Sequence, residues 1–95
     1  MKILAVCGHG LGSSFMLEMN IQQVLNELGV QGVEVEHSDL ASATSDQAGL
    51  FIMAKDLAEG ANHLGDENMI ILNSIIDLEE LREKMKKKLE ELNLI

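Results

Sequence analysis

The chain has 95 residues and a formal charge of −9 at pH 7, with 46% hydrophobic and only 2% aromatic residues. That length suits one domain with one modest core, and the hydrophobic share excludes a disordered chain. The acidity opposes a nucleic-acid backbone as partner, and the single cysteine excludes an internal disulfide. Met1-Lys2 leads straight into a short strand-like run rather than a signal peptide, and no apolar stretch approaches membrane-spanning length. A soluble, cytoplasmic domain over residues 1–95 is therefore expected.

Lys2 to Val6 is almost continuously apolar and predicts a buried, central strand. From Ser14 the spacing predicts a helix, with Leu17, Ile21, Val24, Leu25 and Leu28 on one face and Gly29 as its stop. Val33 to His37 alternates, which predicts a half-exposed strand at a sheet edge. Ser38 to Gly49 is small and polar, suiting a loop with a short helix. Leu50 to Ala54 is a third strand, apolar on both faces. Asp56 with Glu59 reads as a capping box opening a short helix through His63, weakened by Gly60. Met69 to Leu72 is the fourth strand. Asp77 and Glu80 repeat the capping signal before a last helix striped by Leu78, Leu81, Met85, Leu89 and Leu92. Lys84 and Lys86 to Lys88, set among glutamates, read as its solvated face.

Strand and helix alternate about four times, without repeat or linker. The fold class this implies is α/β, with a four-stranded parallel sheet, right-handed crossovers and helices on both faces, a single three-layer Rossmann-like domain. Ligands in such sheets bind beyond the carboxyl ends of the strands. Cys7 sits at one of those ends.

The residues after it carry the chemistry. Glycine at positions 8, 10 and 12 permits positive φ and lets several N–H groups point inward. A helix beginning near Ser13 adds its unsatisfied N–H groups and positive dipole end. Ser13 and Ser14 can cap that helix and donate hydroxyl hydrogen bonds to an oxyanion. A thiol in this field ionises more readily than a free cysteine. Thiolate and cradle together suit phosphoryl transfer, with Cys7 as nucleophile and Gly8, His9, Gly10, Leu11, Gly12, Ser13 and Ser14 as the phosphate-binding loop. The bland alternative is a small buried hydrophobe ending a strand. His9 stays open between a cation for the phosphoryl oxygens and an exposed loop residue.

Other motifs fit less well. The glycine spacing departs from G-x-G-x-x-G, and no lysine follows the glycines as a Walker loop requires. Cys7 and His9 lack further ligands nearby, so neither a metal nor a cofactor is expected. Cysteine phosphatases use C-x-x-x-x-x-R-S, whose arginine clamps the phosphoryl oxygens. Here the loop length and final serine match, but Ser13 stands where the arginine belongs, and the only arginine is Arg82 in the last helix. Asp39 or Asp46 could be proposed as acid or base for a hydrolase, though neither lies in a recognisable motif.

With "KILAVCGHGLGSSFMLEMNI" at its N-terminus, the chain resembles the IIB components of the bacterial phosphoenolpyruvate-dependent sugar phosphotransferase system, nearest to the ascorbate type, with the galactitol type related. The resemblance implies a fold related to low-molecular-weight tyrosine phosphatases and a phosphocysteine intermediate on Cys7. It implies a phosphohistidine IIA protein as donor and a membrane IIC component presenting an ascorbate- or polyol-like acceptor. The rival readings are a low-molecular-weight cysteine phosphatase-like enzyme and a non-catalytic anion-binding regulatory module.

Overall fold

The computed structural model describes residues 2–7, 11–39, 43–44, 46–58, 60, 68–74 and 77–95. Its elements run β1 (Lys2–Cys7), α1 (Leu11–Leu28), β2 (Glu34–Asp39), β3 (Leu50–Ala54), α2 (Lys55–Ala58), β4 (Met69–Leu72) and α3 (Leu78–Glu91). The four strands form one parallel sheet in the order β2-β1-β3-β4. The apolar β1 and β3 occupy the centre, and the alternating β2 lies at an edge, as their patterns predict. Lys2 of β1 pairs with Glu34 and Cys7 with Asp39, while Val6 pairs with Met53 on the other side.

Side chains of β1, β3 and β4 divide between two clusters. Ile3, Ala5, Leu50, Ile52, Ile70 and Leu72 meet Leu17, Ile21, Val24 and Leu25 of α1 and Leu81, Met85 and Leu89 of α3. Leu4, Val6, Phe51, Met53 and Ala43 form the opposite cluster, covered in part by Leu57 of α2 and by Ala48. Each fully buried leucine or isoleucine contributes roughly 1.5–3 kcal/mol of transfer free energy. The α1/α3 side is the larger of the two, and it fixes how α1 sits against β1.

Helix ends follow local chemistry. Gly29 takes φ 73°, and the Val30 N–H reaches the Leu25 carbonyl at 3.0 Å, so α1 closes in a Schellman turn at the expected glycine. Asp77 caps α3, its carboxylate accepting from the Glu80 N–H at 3.1 Å. Leu92 departs from the expected stripe: it is the C-cap residue, 37% exposed, and the buried stripe ends at Leu89.

Glu80 also departs from the reciprocal capping box. Its carboxylate turns to the end of β4, accepting from the Asn73 N–H at 2.9 Å, the Asn73 side-chain amide at 3.0 Å and the Ser74 N–H at 3.2 Å, and it pairs with Lys84 at 2.8 Å. These donors, the Asn73 N–H foremost, hold the Glu80 carboxyl down at about 2, well below its ordinary 4.5. A carboxyl held lower in the folded chain adds stability that is complete above about 4.5 and vanishes as pH falls through about 2. Glu80→Gln is therefore expected to lower the urea midpoint at pH 7, with the gap to wild type closing between pH 4.5 and 2. An equal gap at both ends of that range would place the contribution elsewhere.

Candidate functional site

The strand order creates the site. From β1 the chain crosses to β2 on one side, whereas β3 lies on the other, so the carboxyl end of β1 is the topological switch point where a crevice opens. Cys7 is the last residue of β1, and α1 begins at Leu11, with three residues between them. Gly8, His9 and Gly10 lie outside the described residues.

The first turn of α1 differs from expectation. The helix starts at Leu11 rather than near Ser13 or Ser14, so Gly12, Ser13 and Ser14 belong to its first turn instead of to a loop. Gly12 is thus helical and has no need of a positive φ. The N–H groups of residues 11 to 14 are the four that an α-helix leaves without internal acceptors. They stand at the end of α1 joined to Cys7 by the shortest path, and no acidic residue in that turn competes with a bound anion. Leu17 and Ile21, both fully buried against the sheet, anchor this end of the helix.

The arginine that a phosphatase would need is committed elsewhere. Arg82 of α3 donates through Nε to Glu27 Oε1 at 2.6 Å and through a terminal nitrogen to Oε2 at 3.3 Å. This fork raises the Arg82 pKa and lowers that of Glu27. Glu27 lies in the last turn of α1, roughly 24 Å of helix from Leu11. Arg82 braces the far end of the helix and supplies no clamp to Cys7.

One contact between β2 and α1 was not legible in the sequence. His37 of β2 places Nδ1 2.5 Å from Oε1 of Glu18 on α1, and its ring meets Phe15 edge-on with centroids 6.4 Å apart. Residue 37 shares the strand face of Val33 and Val35, which is the only sequence signal for its lying against α1. Beyond this contact Phe15, Met16 and Met19 are more than half exposed. Of the acids considered for hydrolysis, Asp39 pairs with Cys7 across the ladder, whereas Asp46 is held in a turn by the Thr44 hydroxyl at 2.5 Å. That hydroxyl, ahead of the backbone, lowers the Asp46 pKa and makes it a poor proton donor near neutrality.

The model of the lactose/cellobiose-specific IIB subunit of the phosphotransferase system matches residues 2–91. The chain belongs to this family. IIB domains are phosphotransferases of sugar transport and work with IIA and IIC components. No curated protein matches the chain. Among solved structures, the lactose-specific IIB component domain from Streptococcus pneumoniae aligns over 95% of each chain with a TM-score of 0.62 and 22% identity. At that identity the likeness bears on the fold, and it agrees with the parallel sheet found for this IIB domain. Among the described residues no helix is long and apolar enough to cross a membrane, and no group of three or more His, Cys, Asp or Glu is placed to hold a metal.

Proposed function

We propose that this IIB domain, residues 1–95, is a cytoplasmic phosphoryl carrier whose phosphorylated residue is Cys7. The observation that carries the reading is the placement of its only cysteine at the carboxyl end of β1, a central strand, with three residues between it and the N-terminus of α1. In the first half-reaction the Cys7 thiolate attacks the phosphorus of a IIA phosphohistidine. The S–P bond forms as the P–N bond breaks, and the imidazole nitrogen leaves with its electron pair and takes a proton. In the second, an acceptor hydroxyl attacks phosphorus, the S–P bond breaks, thiolate is restored and the hydroxyl proton passes to water.

Within this reading the protein's work is positioning and charge stabilisation rather than acid–base chemistry. Gly8, His9 and Gly10, with the N–H groups of Leu11 and Gly12 and those of Ser13 and Ser14, form the cradle for the phosphoryl oxygens. The commitment of Arg82 to Glu27 leaves the phosphocysteine without the clamp that a phosphatase uses, which favours holding the group over hydrolysing it. Phe15 and Met16, exposed beside the cradle, rim the face that IIA and the membrane IIC component meet in turn. For the acceptor we favour an ascorbate- or polyol-like compound, on the resemblance of the N-terminal stretch from Lys2 to Ile21; the family description names lactose and cellobiose.

The test is to incubate the protein with phosphoenolpyruvate, enzyme I, HPr and IIA proteins of the lactose, cellobiose, ascorbate and galactitol types, then to record its intact mass. One added phosphoryl group, returned on back-transfer, is the expected result. No adduct, with steady hydrolysis of an aryl phosphate, would put the phosphatase-like reading first. Neither signal would leave an anion-binding regulatory module.

A further inference from the structure

The sequence has no Lys or Arg between Lys2 and Lys55, so β1, the cradle, α1, β2 and β3 hold none beyond Lys2 itself. A dianionic phosphoryl group bound there has no arginine clamp and draws on backbone N–H groups. All seven Lys and Arg residues are among the described ones, and their positions single out one of them. Lys2 opens β1 at the opposite end of the sheet and pairs with Glu36. Arg82 is held by Glu27. Lys84 donates to the Ile71 carbonyl at 2.5 Å and pairs with Glu80. Lys86 lies further along α3 on its exposed side, and Lys87 and Lys88 line a cleft with Met69 to Ile71 of the edge strand β4.

Lys55 alone stands at the carboxyl end of a strand next to β1. Val6 pairs with Met53, so the register carried one step further sets Cys7 level with Ala54, and Lys55 follows at once as the first residue of α2. Neighbouring strands lie about 4.8 Å apart and a residue advances about 3.3 Å, which puts the Lys55 backbone roughly 6 Å from that of Cys7. The four-carbon lysine stem spans such a gap. The chain leaves β1 for the α1 face, while α2 packs Leu57 on the opposite face, so Lys55 borders the crevice that opens between them. Lys55 is exposed and has no ion-pair partner among the described residues.

We propose that Lys55 is a catalytic residue whose ammonium group contacts the phosphoryl oxygens on Cys7, supplying in the form of a mobile lysine the positive charge that phosphatases supply as a fixed arginine. The assignment rests on the phosphocysteine reading above. A single flexible ammonium stabilises the incoming phosphoryl group without the bidentate fit that an arginine gives.

Time courses of Cys7 phosphorylation by phosphoramidate test it. In that reaction the thiolate attacks phosphorus, the P–N bond breaks and ammonia leaves, so no protein surface has to dock. The same variants are run with phosphorylated IIA at saturation. Lys55→Met is expected to slow phosphorylation by both donors roughly ten- to a hundredfold, the loss of one charge-assisted hydrogen bond. Lys55→Arg is expected to recover most of the rate, and Lys86→Met, which removes an exposed charge from α3, to match wild type. A wild-type rate in Lys55→Met overturns the assignment, as does an equal loss in Lys55→Arg or a loss confined to IIA, which would make Lys55 a docking residue. Failure of wild type to take phosphate from either donor overturns the carrier reading itself, a result distinct from all of these.

Discussion

Replacing Cys7 with serine is expected to bring phosphorylation by IIA below detection while the melting temperature stays within a few degrees of wild type. The chemical half follows from ionisation. A thiol is far more acidic than a hydroxyl, and a helix N-terminus favours its thiolate further. A serine hydroxyl in the same field stays protonated and needs a general base, and Asp46, one of the two acids considered for that role, is held in a turn by the Thr44 hydroxyl. The structural half follows from the ladder, because residue 7 pairs with Asp39 through backbone that the substitution leaves intact. Intact mass and thermal melting measured on one preparation check both halves. A serine variant that accepts and returns the phosphoryl group as wild type does would move the acceptor off residue 7.

The parts of this fold legible in the sequence are those set by local chemistry. β3 and β4 fall at Leu50–Ala54 and Met69–Leu72 as their apolar runs predict, and the Asp77 cap and Gly29 stop lie where their residue types place them. Elements whose limits depend on partners differ from what their local patterns predict. β2 runs from Glu34 to Asp39 rather than from Val33 to His37, because β1 offers six residues to pair with and recruits Ser38 and Asp39 against their weak strand preference. Gly12 and Ser13 read as loop by propensity. In the first turn of α1, however, their N–H groups owe no bond to a preceding carbonyl, and the burial of Leu17 and Ile21 fixes the helix from behind. α2 begins at Lys55, so Asp56 sits inside it rather than at its cap, and Glu59 and residues 61–63 of the expected helix lie outside the described residues.

The site divides along the same line. That Cys7 should end a strand before an anion-friendly helix start is written in the consecutive residues from Ile3 to Ser14. The strand order that puts β3, and with it Lys55, beside β1 is written nowhere locally, since it depends on which crossover takes which side. The Glu18–His37 contact is equally remote, joining residues nineteen positions apart that only the β1–β2 pairing brings together.

Phe51→Ala is expected to have the largest effect on stability, about 3–5 kcal/mol. Phe51 is fully buried in β3, the second of its five residues, and is the largest side chain in the cluster that faces α2. Its neighbours there are Leu4, Val6, Met53 and Ala43, with Leu57, Met69 and Ile71 only partly buried around them. The cover is thin, because α2 has four residues where α1 has eighteen. Two effects then compete. A thin cover can settle into the vacated space, which lowers the cost, whereas backbone paired on both sides of β3 cannot follow it inward. The paired strands carry Leu4, Val6, Met69 and Ile71, four of the neighbours that would have to move, so most of the cavity is expected to persist. A loss of this size is a large part of the 5–15 kcal/mol that holds a typical domain together. Urea titration should show a markedly lower midpoint at unchanged slope, with Phe51→Leu losing much less. A cost below about 1 kcal/mol for Phe51→Ala would mean that α2 closes the cavity. Since α2 starts at Lys55, that movement would displace the crevice rim, and phosphorylation of Cys7 would slow in a variant that remains folded.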